Sequence, residues 1–155
     1  MKKVFLIAII CTLVDQVIKL IIANSLDFGD SIQVINGLFS LTLLQNTGAA
    51  FSIFSSGTIV LILVSLVALN LIYWFLIKDK DLNKLETIVY GVLIGGILGN
   101  LIDRVFYGYV IDYLDFNILG FNFPVFNFAD ICIVVTIILI IIFTLKGEKD
   151  ARKSK

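Results

Sequence analysis

Four apolar runs, each about as long as a membrane-spanning helix, constrain this chain more than any other feature of its sequence. They cover approximately residues 4–23, 57–77, 86–106 and 128–145. A helix needs about 20 apolar residues to cross a hydrocarbon core of about 30 Å. Only 15% of the residues are charged, well below the roughly 25% that is usual in soluble domains. We therefore predict one integral membrane domain over residues 1–155, built on an all-α bundle of four transmembrane helices.

The distribution of lysine and arginine predicts how the spans are oriented. Basic residues precede the first run, separate the second from the third and follow the fourth, whereas residues 24–56 and 107–127 contain none. By the positive-inside rule, we expect both termini and the tail 146–155 to be cytoplasmic. The two connections that lack lysine and arginine are expected to face outward. The net charge is zero and no basic stripe is present, so nucleic acid is not an expected partner.

The two outer connections are expected to differ in structure. Residues 31–44 are rich in β-branched and aromatic side chains in partial alternation, which predicts a small extracytoplasmic β element. The second connection, 107–127, is expected to be a short outer loop. The charged tail 146–155 is expected to be disordered.

Apart from Glu86 at a span edge, the ionisable side chains within the spans are expected to gather at one depth, near the outer surface, together with Asn100 and Asn127. These ionisable residues are Asp15, Lys19, Asp103, Arg104 and Asp130. Asp15 and Lys19 are four residues apart, so they share a helical face and can form an ion pair. Charges within a membrane are energetically unfavourable and indicate a functional site by default. The alternative is a structural cluster that ties the helices together.

The third span is predicted to have two different sides. Gly91, Gly95 and Gly99 form two overlapping GxxxG steps, which allow another helix to pack closely. Gly96 lies on an adjacent side, where we expect the polar residues of this span: Asn100, Asp103 and Arg104.

The chain contains no histidine, which excludes Ser-His-Asp and Cys-His catalysis and the HExxH zinc proteases. Asp112 lies just beyond the third span and Asp130 begins the fourth, so their carboxyl groups can meet at the outer boundary. Such a pair shares a proton, and its ionised member activates a water that attacks an amide while its protonated member assists the leaving group. Spacing alone does not choose this pair over Asp103, which is expected to pair with Arg104, or over Asp115, which is expected at a solvated loop edge.

Three other functions fit parts of the sequence. A small transporter or proton pathway would use the outer charges as a relay, but it would need polar residues towards the cytoplasm, where the spans are nearly purely apolar. A Ser–Lys peptidase would use Lys19 as base and one of three serines as nucleophile: Ser25, Ser31 or Ser52. The third alternative is a noncatalytic membrane scaffold.

Five motifs, taken together and in order, resemble the set that marks the lipoprotein signal peptidase (signal peptidase II) family. They are DQVIK (15–19), NTGAAFS (46–52), GGILGNLIDR (95–104), VIDYLDF (110–116) and FNFAD (126–130). Each motif alone is weak, but five in order along nearly the whole chain are specific. Gln45 departs from the family pattern, which more often has a basic residue at that position.

The resemblance implies an aspartic endopeptidase of the bacterial cytoplasmic membrane with its active site near the extracytoplasmic face. Its substrates are prolipoproteins whose lipobox cysteine carries diacylglycerol, and it cuts just before that cysteine. Its partners are thus these signal peptides and membrane lipids, and it needs no metal or organic cofactor. The catalytic pair falls on Asp112 and Asp130. The positions that would orient this pair or bind substrate are Asp15, Lys19, Asn46, Gly48, Ala49, Gly96, Asn100, Arg104, Asn127 and Ala129.

Overall fold

A computed structural model of the protein describes residues 1–48 and 57–153, with side chains described as far as residue 145. Its helices are α1 (Lys2–Ser25), α2 (Thr58–Leu71, continued by a π-helical segment Ile72–Ile77), α3 (Lys84–Tyr107) and α4 (Phe128–Lys153). Its strands are β1 (Ser31–Ile35), β2 (Phe39–Asn46), β3 (Val110–Ile118) and β4 (Phe121–Asn122). In these described ranges, four helical segments are long and apolar enough to cross a membrane. Each end of these segments lies within two residues of the corresponding end of a predicted span.

Helix α3 lies at the centre of the bundle, in contact with α1, α2 and α4. The predicted glycine row is its packing side towards α1. A Cβ atom added to Gly95 would lie 2.5 Å from the Cβ of Cys11, and one added to Gly91 would lie 2.7 Å from the Cβ of Ile7. The two helix backbones therefore approach as closely as GxxxG steps allow.

Asp103 lies on this packing side, and our expectation that it shares a side with Gly96 is wrong. Asp103 follows Gly99 by four residues, so it continues the glycine row towards α1 and forms an ion pair with Lys19. Gly96 instead faces α4, since an added Cβ there would lie 2.7 Å from the carbonyl oxygen of Ala129.

A four-stranded antiparallel sheet in the order β1-β2-β3-β4 is formed by the first and third connections between helices together. The β1–β2 hairpin confirms the predicted β element. The expectation of a loop at 107–127 is wrong, because residues 110–118 form the strand β3. This strand was not predicted because its partner, β2, is separated from it by two spans in the sequence.

The pairing of β2 with β3 is irregular next to Asp112. Leu41 pairs with Leu114 and Leu44 pairs with Asp112, so β2 has one extra residue in this interval. Such bulges bend a strand and are frequent beside active sites. One face of the sheet packs Leu43, Ile111 and Tyr113 against the C-terminal end of α1, which fixes the sheet to the helices.

Strands β3 and β4 are joined by the two-residue turn Leu119–Gly120. Both turn residues have a positive φ, 54° and 85° respectively, and Ile118 pairs with Phe121 across the turn. At the other end of the chain, α4 extends to Lys153. The expectation of a disordered tail is therefore wrong for most of this segment, since its lysine, glutamate, alanine and arginine residues are good helix formers.

Candidate active site

Asn127 caps the start of α4 and thereby orients Asp130. The side-chain oxygen of Asn127 accepts a hydrogen bond from the backbone N–H of Asp130 at 3.0 Å, and Asp130 Oδ2 accepts one from the backbone N–H of Asn127 at 3.1 Å. This reciprocal arrangement resembles a capping box, in which two unpaired donors at a helix start are satisfied together. Asn100 Nδ2 donates to the other oxygen, Oδ1, at 2.7 Å.

Asp112 projects from β3 and is held by two amide side chains. Asn127 Nδ2 donates to its Oδ1 at 2.6 Å, and Asn46 Nδ2 donates to its Oδ2 at 2.7 Å. Asn127 therefore contacts both aspartates that the motifs single out. Burial, followed by the negative charge of Asp130, raises the pKa of Asp112 to about 7, although the two amide donors and the charge of Lys19 oppose this shift.

Both aspartates line one cavity of about 760 Å³. Its other polar lining residues are Gln45, Asn46, Asn100 and Arg104. Its walls are otherwise apolar and come from β2, β3, the segment before α4, and α4 itself: Leu44, Val110, Phe123, Pro124, Val125, Phe126, Ile131, Ile133, Val134 and Val135. A few convergent polar groups in a large apolar cleft are typical of a substrate-binding site.

Arg104 extends along the edge of this cavity. Its Nη1 donates to the carbonyl oxygen of Asn100 and its Nη2 to the carbonyl oxygen of Gly48, both at 3.3 Å. Its Nε is buried and has no hydrogen-bond partner within the described part of the chain. Gly48 also donates its backbone N–H to Asn46 Oδ1 at 3.0 Å. The adjacent predicted residue, Ala49, lies outside the described residues.

A second cluster of charges, which we call the buried yoke, consists of Lys19, Asp15 and Asp103. Lys19 Nζ contacts Asp15 Oδ2 and Asp103 Oδ2, each at 2.8 Å, and donates to Asn100 Oδ1 at 3.0 Å. The predicted Asp15–Lys19 pair is confirmed. The expected pairing of Asp103 with Arg104 is wrong, because Asp103 faces α1, where Lys19 lies.

The yoke is bonded to the backbone beside each candidate catalytic residue. Asp15 Oδ1 accepts a hydrogen bond from the N–H of Ala129, which precedes Asp130, at 3.0 Å. Asp103 Oδ2 accepts one from the N–H of Ile111, which precedes Asp112, at 3.2 Å. Because Lys19 pairs with both Asp15 and Asp103, this lysine links the backbone beside Asp112 to the backbone beside Asp130.

Gln16 belongs to the same cluster, and sequence reasoning missed it. Its Nε2 donates to Asp103 Oδ1 at 2.8 Å and to the carbonyl oxygen of Gly99 at 3.2 Å. The available signal was its position inside DQVIK, where it is a polar side chain in the middle of an apolar span. It was missed because we weighed only the charged residues of that motif.

The other candidates are separated from the cavity. Asp115 accepts a hydrogen bond from Thr42 Oγ1 at 2.9 Å and does not line the cavity. Ser25 donates to a carbonyl of its own helix, and Ser31 is bonded to the hydroxyl of Thr42. Neither serine is among the partners of Lys19, and Ser52 lies outside the described residues. Among the described side chains, residues 1–48 and 57–145, no three of the metal-binding types form a group.

Comparisons with a family model and with known proteins give the same family over nearly the whole chain. The sequence model of the family described as signal peptidase (SPase) II matches residues 7–146. Lipoprotein signal peptidase of Staphylococcus aureus strain MRSA252 is 38% identical over 150 residues, which cover 97% of this chain and 92% of that protein. The corresponding protein of strain JH9 is 37% identical with the same coverage.

Two solved structures have the same fold as this chain. A bacterial membrane enzyme determined by the in meso method at 2.3 Å resolution superposes with a TM-score of 0.88 at 38% identity, over 97% of this chain and 92% of that one. A second bacterial membrane enzyme, determined by the same method at 1.9 Å resolution, gives a TM-score of 0.83 at 39% identity, over 94% of each chain. The comparisons give no support to a transporter.

Proposed function

The chain belongs to the signal peptidase II family, and we propose that Asp112 and Asp130 are the aspartates with which it cleaves prolipoprotein signal peptides. It is accordingly a protease, of the aspartic type, and a multi-pass bacterial membrane protein. The observation that carries the proposal is that both carboxyl groups line one cavity and are bridged by the side-chain amide and the backbone of Asn127.

The two aspartates have different surroundings, which supports different roles. Asp130 lies in the first turn of α4, where the helix dipole favours a negative charge, and one of the two hydrogen bonds that it accepts comes from the backbone N–H of Asn127, whereas Asp112 lies on a strand. We assign it as the ionised base that takes a proton from the attacking water. Asp112, with its pKa raised to about 7, is assigned as the proton donor to the scissile carbonyl and then to the leaving amine.

The supporting residues act on the position and charge of this pair. The yoke fixes the backbone beside each aspartate, and Asn100 connects Lys19 to Asp130. Arg104 lines the cavity, and its planar guanidinium can hold a carbonyl oxygen of the substrate. Asn46, Gly48 and the neighbouring Ala49 belong to the segment that approaches the substrate backbone.

The substrate we propose is a prolipoprotein whose cysteine already carries diacylglycerol, cut just before that cysteine. Its acyl tails occupy the outer leaflet, so its scissile bond lies at the membrane boundary. The apolar cavity walls from α4 suit a signal peptide that enters laterally among the spans. This requires both termini in the cytoplasm and the sheet outside, the orientation that the distribution of basic residues favours. Residues 1–155 then act as one peptidase domain.

The experiment is cleavage of a diacylglyceryl lipobox peptide by the protein reconstituted in lipid nanodiscs. Asp112→Asn and Asp130→Asn preserve side-chain size, and each should lower kcat by about 10²–10⁴-fold, the range for loss of a general acid or base. The matched control is Asp115→Asn, which alters another aspartate of β3 outside the cavity and should keep nearly full activity.

Two outcomes would contradict the two-aspartate assignment. Wild-type activity in either variant, with melting curves that verify folding, would refute the two-aspartate assignment. Loss of activity in Ser52→Ala, with both asparagine variants active, would instead favour the Ser–Lys mechanism.

A further inference from the structure

We propose that the β3–β4 turn, residues Ile118–Phe121, is embedded in the outer leaflet of the bilayer and anchors the strand that carries Asp112. We call these four residues the apolar tip. The proposal does not depend on the catalytic assignment, since it concerns only the medium that surrounds the tip.

The turn has an unfavourable residue for its backbone conformation. A two-residue hairpin turn with positive φ at both positions strongly favours Asn-Gly or Asp-Gly. Here the first position is Leu119 with φ 54°, a conformation in which a bulky apolar residue is rare. The residue is 103% exposed, so no packing against the described part of the chain compensates for this choice. A leucine at this position is favourable where the surrounding medium is apolar.

The residues beside the turn have the same character. Ile118 is 49% exposed and Phe121 is 61% exposed. From residue 116 to residue 129 the sequence contains no charged side chain. An exposed apolar patch of this kind on a hairpin tip marks a contact with a partner or a membrane.

The position of the apolar tip favours contact with the membrane over contact with a protein partner. Strand β3 begins three residues after α3 ends, and the chain returns to α4 at Phe128, so both ends of the hairpin are joined to the ends of membrane-spanning helices. Its rings continue towards the bundle, with Phe121 and Phe123 centroids 6.5 Å apart and Phe123 and Phe126 centroids 5.8 Å apart. Phe123 and Phe126 line the same cavity as Val134, which is 56% exposed on the membrane-spanning helix α4. The apolar tip thus continues an apolar surface of this helix, which supports contact of the tip with the bilayer.

The test places a single tryptophan at the tip and measures its environment in nanodiscs. Trp74, the one tryptophan of the chain, is first changed to Phe. Leu119→Trp and the more conservative Phe121→Trp are then compared with Asp27→Trp, a control at an exposed position on the same outer side. The probes are phosphatidylcholine with a doxyl group on carbon 5 of its acyl chain and aqueous iodide.

We expect doxyl lipid to reduce the emission of both tip variants at least twofold and iodide to have little effect on them. The control should show the reverse. Iodide quenching of the tip variants equal to that of the control would overturn the proposal. So would protection from iodide that grows with protein density without doxyl quenching, which would indicate a second copy of the chain. Doxyl quenching that requires added substrate peptide would also overturn it, since the tip would then be a substrate contact.

Discussion

Asn127 is hydrogen-bonded to both candidate catalytic carboxyl groups. Its oxygen caps α4, whereas its amide nitrogen donates to Asp112. Asn127→Ser keeps an oxygen that can cap the helix but removes the nitrogen donor. We expect it to lower kcat at least tenfold with a small loss of stability. Asn127→Ala should lose about 1 kcal/mol more, since it also lacks the cap. Peptide cleavage and thermal melting separate the two effects, and equal melting of Ser and Ala variants would contradict the capping role.

The pH dependence of cleavage should follow the ionisation of Asp112. Its pKa is raised to about 7, so the proposed proton donor is lost as the pH rises through that value. We expect kcat/KM to fall about tenfold per pH unit on the alkaline side, as for loss of one essential acid. The measurement uses a substrate peptide without groups that titrate near pH 7. A rate that stays constant to pH 9 would contradict this assignment of the proton.

The same ionisation affects stability. Unfolding returns the pKa of Asp112 from about 7 to its ordinary value of 3.8. The folded state therefore holds this proton more tightly, and that stabilisation is complete below about pH 3.8 and lost as the pH rises to about 7. We expect Tm in detergent to fall between pH 5 and pH 8. Asp112→Asn should flatten this slope, and an unchanged slope would contradict the raised pKa.

At the scale of secondary-structure elements, the buried yoke joins α1 to α3, β3 and α4. Lys19→Met would leave Asp15 and Asp103 as facing buried carboxylates, and breaking a buried ion pair in this way costs about 3–5 kcal/mol. We expect a large drop in Tm for this variant. The matched control is Lys19→Met with Asp15→Asn and Asp103→Asn, which removes all three charges and should recover most of the loss. A control as unstable as the single variant would show that packing, and not charge, dominates.

The close approach of α1 to α3 gives a second prediction at this scale. A Cβ at Gly99 would lie 2.5 Å from Asp15 Oδ2, so Gly99→Ala should displace the yoke and destabilise the protein by about 1–3 kcal/mol. Val105→Ala, at an exposed position of the same helix, is the control and should have little effect. Equal Tm values for the two variants would contradict the steric argument.

The elements that the sequence predicted are those encoded locally. Each span is one continuous apolar run, and the β1–β2 hairpin has its two strands close together in the sequence. Strand β3 was missed because the polar and apolar residues around Asp112 do not by themselves identify a strand. They are recognised as one only once β2 is known to pair with them. Asp103 was assigned the wrong partner for a similar reason. The sequence shows that Arg104 is adjacent, but only the packing of α1 on α3 brings Lys19 within 2.8 Å.

The candidate site was predictable to a different degree. The motifs named both cavity aspartates, Asn127 and Asn100, because a recurring set of residues conveys three-dimensional proximity that spacing does not. Gln16 escaped because an uncharged amide in an apolar span can equally well face a backbone carbonyl of its own helix. Its role follows only from its distance to Asp103 across the helix interface.

At the scale of the whole molecule, the proposed orientation can be measured directly. Asn36→Cys lies in the β1–β2 turn and Lys80→Cys lies between the second and third spans. In intact cells, a membrane-impermeant maleimide should label the first variant and not the second, whereas both should react after lysis. The native cysteines, Cys11 and Cys132, lie within spans, and the unsubstituted protein provides the background. Labelling of Lys80→Cys in intact cells would reverse the topology.

The pairing of β2 with β3 also has a consequence for the biogenesis of the protein. During synthesis the β1–β2 hairpin emerges first, but its neighbouring strand β3 follows only after α2 and α3 have been synthesised. Asp130 arrives later still, with the last helix. A nascent chain that ends before α4 contains only one of the two proposed catalytic carboxyl groups. The proposed protease activity thus requires that synthesis has reached the last helix.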